Sequence, residues 1–191
     1  MIIGRLLSPV HSLGPGERVC LWTQGCGKNC PGCVSPELQY KQGTEVDNKK
    51  LAQIMTQIAQ KGGCTGLTVS GGDPFEQSAA LLELLQCVRA AFDDILVYTG
   101  YRLEEILAGC AGEAGMQCLQ YIDVLIDGRY EKKKNTPDCV LRGSSNQIIH
   151  YLTEGKRTSY AEYMKKGRIV ESFVHEDKTI ITGILNEEEQ Q

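Results

Sequence analysis

No apolar run in this chain of 191 residues approaches the roughly 18 residues of a membrane-spanning helix, so no membrane partner is expected. The first residues also lack the unbroken apolar segment of an export signal, because Ser8, Pro9, His11 and Ser12 interrupt it. A soluble, cytoplasmic chain is the expectation. A basic excess is missing too. Lys and Arg number 20 against 24 Asp and Glu, a net charge of −4, and the sequence pI is near 5.5. Proteins that coat nucleic acid carry the opposite balance, so no nucleic-acid partner is expected. The length favours a single domain and falls short of the about 250 residues of a complete eight-fold β/α barrel. There is no internal repeat. Wholesale disorder is excluded by an ordinary composition, 41% hydrophobic and 23% charged.

Cysteine is abundant. The nine are Cys20, Cys26, Cys30, Cys33, Cys64, Cys87, Cys110, Cys118 and Cys139. An odd number cannot pair completely, and without an export signal the thiols are expected to be reduced. Several sit in apolar stretches, as Cys87 does in LLELLQCV, where cysteine serves as a small hydrophobe. Cys26, Cys30 and Cys33 do not.

Residues 19–22 (VCLW) read as a buried strand that runs into TQGCGKNCPGC, a loop without periodicity. Leu51, Ile54, Met55 and Ile58 then follow helical spacing, with Asp47 or Asn48 as cap and Gly62–Gly63 as stop. Leu67 to Ser70 predicts a strand ending at Gly71–Gly72–Asp73–Pro74. A helix from about Ser78 to Phe92 follows, with Leu81, Leu82, Leu84, Leu85 and Val88 inward. Strands are also expected at Ile95–Tyr98 and Ile122–Ile126, with a short helix marked by Leu103, Ile106 and Leu107 between them. Strands alternating with helices predict βαβ units and a parallel sheet, with right-handed crossovers placing the strand C-termini on one rim. The glycine-rich and polar segments 23–33, 70–74, 99–101 and 127–129 all follow strands and so belong to that rim. Beyond residue 143 the pattern weakens. Asn146 to Leu152 reads as a last strand, residues 151–166 are polar, and Arg168 to Leu185 reads as a hairpin turning at Glu176–Asp177–Lys178. The NEEEQQ end is expected to fray. This divides the chain into a main domain at 1–150 and an extension at 151–191.

The triplet Cys26-x3-Cys30-x2-Cys33 is interleaved with Gly25, Gly27, Pro31 and Gly32, residues that let a backbone wrap a bulky cluster. Three thiolates are one short of closing a four-iron cubane, and one short of a structural zinc tetrahedron. No fourth ligand is near, since His11 lies fifteen residues upstream and Cys20 within the preceding strand. An iron–sulfur cluster with one open iron is the leading reading. A zinc site remains the alternative.

The loop TQGCGKNCPGCVSPE resembles the cluster loop of radical S-adenosylmethionine enzymes. Together with SGGDP, YTGY, DVLIDG and LRGSSNQ it resembles, more narrowly, the activating proteins of anaerobic ribonucleotide reductase. The resemblance implies a 4Fe–4S cluster on Cys26, Cys30 and Cys33, with S-adenosyl-L-methionine chelating the fourth iron. It places the backbone of Gly32, Cys33 and Val34 near that cosubstrate. It assigns Ser70, Gly71, Gly72 and Asp73 to the methionine amino group, and Thr99 and Gly100 to the ribose or methionine portion. The implied fold is an α/β partial, open barrel of about six parallel strands with a C-terminal hairpin. The implied reaction is reductive cleavage of S-adenosylmethionine to a 5′-deoxyadenosyl radical, which abstracts hydrogen from a glycine of the reductase large subunit. A low-potential donor such as flavodoxin or ferredoxin would supply the electron. Two departures stand out: Gly32 occupies a position that is aromatic in many superfamily members, and Val34–Ser35 replace the Tyr-Asn of many activases.

Competing readings are a radical enzyme acting on a small molecule or peptide, and an iron–sulfur electron carrier or zinc-stabilised binding module. RYEKKKN (residues 129–135) reads as a solvated loop or as a landing surface for an acidic partner. Residues 142–147 read as a turn or as a polar cap near the ligand. Trp22 reads as core, and His150 and His175 receive no role.

Overall fold

The computed structural model describes residues 1–175 and 178–185, without the side chains of His175 and Lys178. The strands are β1 (Ile2–Val10), β2 (Arg18–Thr23), β3 (Thr44–Glu45), β4 (Gly66–Gly71), β5 (Asp94–Tyr98), β6 (Val124–Asp127), β7 (Ile148–Tyr151), β8 (Val170–His175) and β9 (Lys178–Gly183). The helices are α1 (Asn48–Gly62), α2 (Ser78–Val88), α3 (Leu103–Leu107), α4 (Gly112–Cys118) and α5 (Lys156–Met164). Residues 176–177, within the turn expected at Glu176–Asp177–Lys178, and residues 186–191 lie outside the described residues.

A seven-stranded sheet runs β3-β1-β2-β4-β5-β6-β7, and β8 and β9 form a separate two-stranded ribbon. The four central strands β2, β4, β5 and β6 are parallel. β1, β3 and β7 are antiparallel to their neighbours. The expectation of about six parallel strands is thus corrected to four, and the sheet ends in two edges without closing. The reason lies in the connections. Antiparallel neighbours need only a short link, whereas parallel ones need a crossover. Seven residues join β1 to β2, and no α-helix lies between β6 and β7.

Alternation along the parallel strands sends successive side chains to opposite faces. Leu67, Val69, Ile95, Val97 and Leu125 pack against Leu51 and Met55 of α1 and Leu81, Leu84 and Leu85 of α2. On the other face Leu96, Val124 and Ile126 meet Leu141 and Tyr160 and Tyr163 of α5. The helix ends are as the sequence implies. Asp47 accepts from the Lys50 amide at 2.9 Å, and Gly63 closes α1 in the left-handed region at φ 68°.

At the N-terminal ends of the parallel strands, Arg18 is completely buried. Its guanidinium donates to Thr68 Oγ1, Asp94 Oδ2 and the Leu67 carbonyl, each at 2.6 Å, and to the Pro15 carbonyl at 2.9 Å. Tyr160 Oη donates to the same Asp94 oxygen at 2.8 Å, tying α5 to this network. Removing one partner of such a pair leaves the other charge buried. Arg18→Met is therefore expected to lower stability by about 3–5 kcal/mol in urea unfolding. An unchanged midpoint would refute the assignment.

Candidate metal and cofactor site

Because β2, β4, β5 and β6 are parallel, their C-terminal ends share one rim, where open α/β sheets build their sites. A cavity of about 420 Å³ lies there. Cys26, Cys30, Cys33 and Val34 line it from the loop after β2, and Ser70, Gly71, Gly72 and Asp73 from the end of β4. Thr99 and Gly100 contribute from the end of β5, and Gly128 follows β6. Gly32 does not line the cavity. It adopts φ +73°, and a Cβ there would sit 3.0 Å from Lys132 Cδ, so it faces the basic run instead.

The cysteine loop is closed at its stem. The Gly25 amide donates to the Leu38 carbonyl at 2.8 Å and the Cys26 amide to the Gln39 carbonyl at 3.0 Å. The Gln24 side-chain amide adds bonds to the carbonyls of Glu37 and Tyr40 at 2.9 and 2.7 Å. Within the loop, the Cys33 amide donates to the Cys30 carbonyl at 3.2 Å. The end of β4 seats this stem. The Gly72 amide donates to Thr23 O, and the Asp73 amide to Gly25 O, both at 2.9 Å. A Cβ on Gly71 would lie 2.2 Å from the Thr23 nitrogen, and one on Gly72 would lie 2.3 Å from the Gly25 oxygen. The glycine pair is needed by the chain's own backbone before any ligand arrives.

Asp73 is fully buried and joins two strand ends. It accepts from Thr99 Oγ1 at 2.8 Å, the Gly100 amide at 3.0 Å and the Phe75 amide at 3.1 Å. Burial pushes its pKa up, while those bonds and the Lys28 charge pull the other way. Lys28, between Cys26 and Cys30, pairs with Glu76 at 3.1 Å and lies 3.2 Å from the Tyr101 ring centroid. It pins the loop to the β4 and β5 ends.

The three thiols are half-buried. Burial raises the pKa of Cys26 and Cys30, and mutual repulsion with neighbouring thiols and with Asp73 raises both further. The Lys28 amide, 3.4 Å from Cys26 Sγ, opposes this at Cys26. Three soft sulfur donors crowding one cavity suit a cationic iron–sulfur group. All three line one cavity, and no histidine or fourth cysteine is among its lining residues. The other cysteines stand apart. Cys20 and Cys118 are buried with pKa pushed up to about 12. Cys87, expected in the core, is exposed, because it falls on the outer side of α2.

Sequence reading singled out the run at residues 129–135 but not that its Tyr130 and Asn135 line the cavity, and it missed Thr179, Ile181, Thr182, Gly183, Ile184 and Leu185 of the ribbon strand and its continuation. Only the hairpin pattern hinted at the last group, and it carries no chemistry. Gln147 does line the cavity, accepting from the Gly143 amide at 2.7 Å and donating to Gly128 O at 2.8 Å. Residues 142–147 are thus both a turn and a cavity wall. Trp22 is buried with Leu13 and Leu38 and also borders the cavity.

The family model described as a 4Fe-4S single cluster domain matches residues 12–150. An anaerobic ribonucleoside-triphosphate reductase-activating protein of Escherichia coli K12 is 36% identical over 149 residues, covering 73% of this chain and 91% of that protein. The protein of the same name from Pasteurella multocida is 38% identical over 151 residues, covering 74% and 91%. That of phage T4 is 33% identical over 146 residues, covering 74% and 88%. No described helix is long and apolar enough to cross a membrane. With three cysteines and a glycine-rich strand end on one cavity, and relatives matched over most of their length, the chain belongs to the 4Fe-4S single cluster domain family and to the anaerobic ribonucleoside-triphosphate reductase-activating proteins.

Proposed function

We propose that this chain is a radical S-adenosylmethionine enzyme that activates the anaerobic ribonucleoside-triphosphate reductase by generating its glycyl radical. The observation that carries this reading is the single cavity shared by Cys26, Cys30, Cys33 and the Ser70–Asp73 strand end. When bound, a reduced 4Fe–4S cluster and S-adenosyl-L-methionine supply a 5′-deoxyadenosyl radical. The chain's own residues hold and orient that pair. Cys26, Cys30 and Cys33 would hold the cluster through three thiolates, leaving a position open to the cosubstrate. The backbone at Ser70, Gly71 and Gly72 offers carbonyl acceptors to its ammonium, and Asp73 holds that strand end in place through Thr99 and Gly100. Gly32–Val34 stand on the opposite loop, with Val34 bordering the cavity. Confining the reacting pair in one cavity makes their encounter effectively unimolecular.

We read the open sheet as a partial barrel, with its rim left accessible to a macromolecular substrate. Residues 1–150 are the catalytic domain and 151–191 an extension to it. The setting is the cytoplasm, with flavodoxin or ferredoxin as electron donor. The exposed Lys132, Lys133 and Lys134 stand beside the cysteine loop, Lys132 against Gly32, and suit an acidic partner surface.

Anaerobically loaded, reduced enzyme with S-adenosylmethionine is expected to produce an EPR-detectable glycyl radical on the reductase encoded in the same genome. Replacing Lys132, Lys133 and Lys134 by Ala is expected to weaken docking, most visibly at low salt, and to spare uncoupled cleavage of S-adenosylmethionine. Turnover of a small molecule or peptide with no reductase radical would overturn the proposal.

A further inference from the structure

The ribbon of β8 and β9 lies beyond the segment matched by the family model, which ends at residue 150. Its register, with Val170 opposite Gly183, Ser172 opposite Ile181 and Val174 opposite Thr179, sorts its side chains onto two faces. The inner face is fastened. Glu171 accepts from the backbone amides of His11 and Ser12 at 2.8 and 2.7 Å and meets His11 Nδ1 at 2.9 Å. Thr182 meets Ser12 through a buried hydroxyl pair at 3.0 Å, and Phe173 packs against the cluster of Val10, Leu13 and Trp22. The His11 contacts hold Glu171 below the usual carboxylate range despite its partial burial. Where the chain leaves β9, Asn135 Nδ2 donates to the Leu185 carbonyl at 3.1 Å, joining the ribbon to the basic loop.

The outer face is different. Val174 is 76% exposed, Ile181 50% and Val170 43%, an apolar group that no element among the described residues covers. Thr179, Ile181 and Gly183 of this same face line the cavity that holds the three cysteines, and so does Val34, itself 53% exposed. Among the described residues no third strand pairs with the ribbon. An exposed apolar strand face beside an unpaired edge is the surface that receives an extended peptide. Main-chain groups bond to the edge, and alternate side chains rest on the face.

We infer that the outer face of the β8–β9 ribbon is the docking surface for an extended, partly apolar peptide segment of the reductase, guiding that segment into the cysteine-lined cavity. This rests on the proposed function. Continuity with the cavity selects the occupant. A small ligand is held within the cavity, whereas Val170 and Val174 lie outside its lining, where only a larger partner reaches both. A second copy of this chain would cover the face but would also obstruct the cavity mouth.

The test uses iron-loaded enzyme and the double variant Val170→Ser, Val174→Ser, two exposed positions outside the cavity lining. Three quantities are read: affinity for the reductase, glycyl radical yield on the reductase, and S-adenosylmethionine cleavage without it. The variant is expected to bind the reductase about tenfold more weakly, with radical yield reduced at limiting enzyme and uncoupled cleavage unchanged. Unchanged affinity, with normal activation of the reductase, overturns the inference and leaves the proposed function standing. A variant that converts a wild-type dimer to monomer without affecting reductase affinity assigns the face to a second copy and also overturns it. If wild-type enzyme cleaves S-adenosylmethionine but neither binds nor activates the reductase, the proposed function fails and the inference with it.

Discussion

Replacing Cys26, Cys30 or Cys33 singly by Ala is expected to abolish retention of about four iron atoms per chain and the associated charge-transfer absorbance. Cleavage of S-adenosylmethionine should fall to background in each variant. The three thiols border one cavity, whose lining holds no histidine and no fourth cysteine. Loss of one sulfur therefore leaves only two soft donors for the cluster. Cys87→Ala is the control. It sits on α2, exposed beside Lys49, Ala52 and Gln53, and its replacement should leave iron content unchanged. Iron and absorbance measured after anaerobic reconstitution decide the matter. Stoichiometric zinc without iron uptake would refute the cluster assignment.

Gly72→Ala is expected to be nearly as damaging without touching a ligand. The added methyl would lie 2.3 Å from the Gly25 oxygen, 2.6 Å from its carbon and 2.7 Å from the Leu38 oxygen. All three atoms are backbone, so no side chain can swing aside. Either the stem of the cysteine loop moves away from β4, breaking the Gly72–Thr23 and Asp73–Gly25 bonds, or the strand end shifts. We expect a loss of at least about 3 kcal/mol in chemical unfolding, together with poor iron uptake at temperatures where the chain stays folded. Gly16→Ala provides contrast. It has open space around it, although its φ of +74° imposes a smaller backbone strain. Equal losses for the two variants would refute the steric argument.

These consequences separate what could be read in the chain from what could not. β2, β5, β6 and α1 announce themselves because those buried strands carry short continuous apolar runs and α1 carries a one-sided stripe with caps at both ends. The rim location of the cysteines and of residues 70–74 follows from that alternation alone. β1 carries no such signal: Gly4, Arg5, Ser8 and Pro9 break its period, and its pairing with β2 shifts register twice. α5 was hidden for a related reason, since only Tyr160 and Tyr163 are buried among otherwise exposed or partly covered residues. Nor does sequence reveal that Arg18 is buried, because the bonds that satisfy its guanidinium depend on Thr68 and Asp94 from other strands. At the site, the three cysteines were legible from spacing. The roles of Lys28, Glu76 and Tyr101 were not, because their meeting depends on how two strand ends align. The glycines of residues 71–72 were legible as a close approach. That their nearest neighbour is the chain's own backbone emerges only from the fold.

The stem that closes the cysteine loop has a consequence for how the centre is assembled and repaired. Gly25 with Leu38 and Cys26 with Gln39 bond main chain to main chain, and the Gln24 amide clasps the same junction from the side. None of these contacts involves a sulfur ligand. These bonds do not depend on a sulfur atom, so the stem is expected to stay closed in protein from which the metal has been removed, unlike small metal domains in which metal binding and folding are one event. Reloading is then expected to require iron, sulfide and reductant but no refolding, and a far-ultraviolet circular dichroism spectrum that collapses on metal removal would refute this.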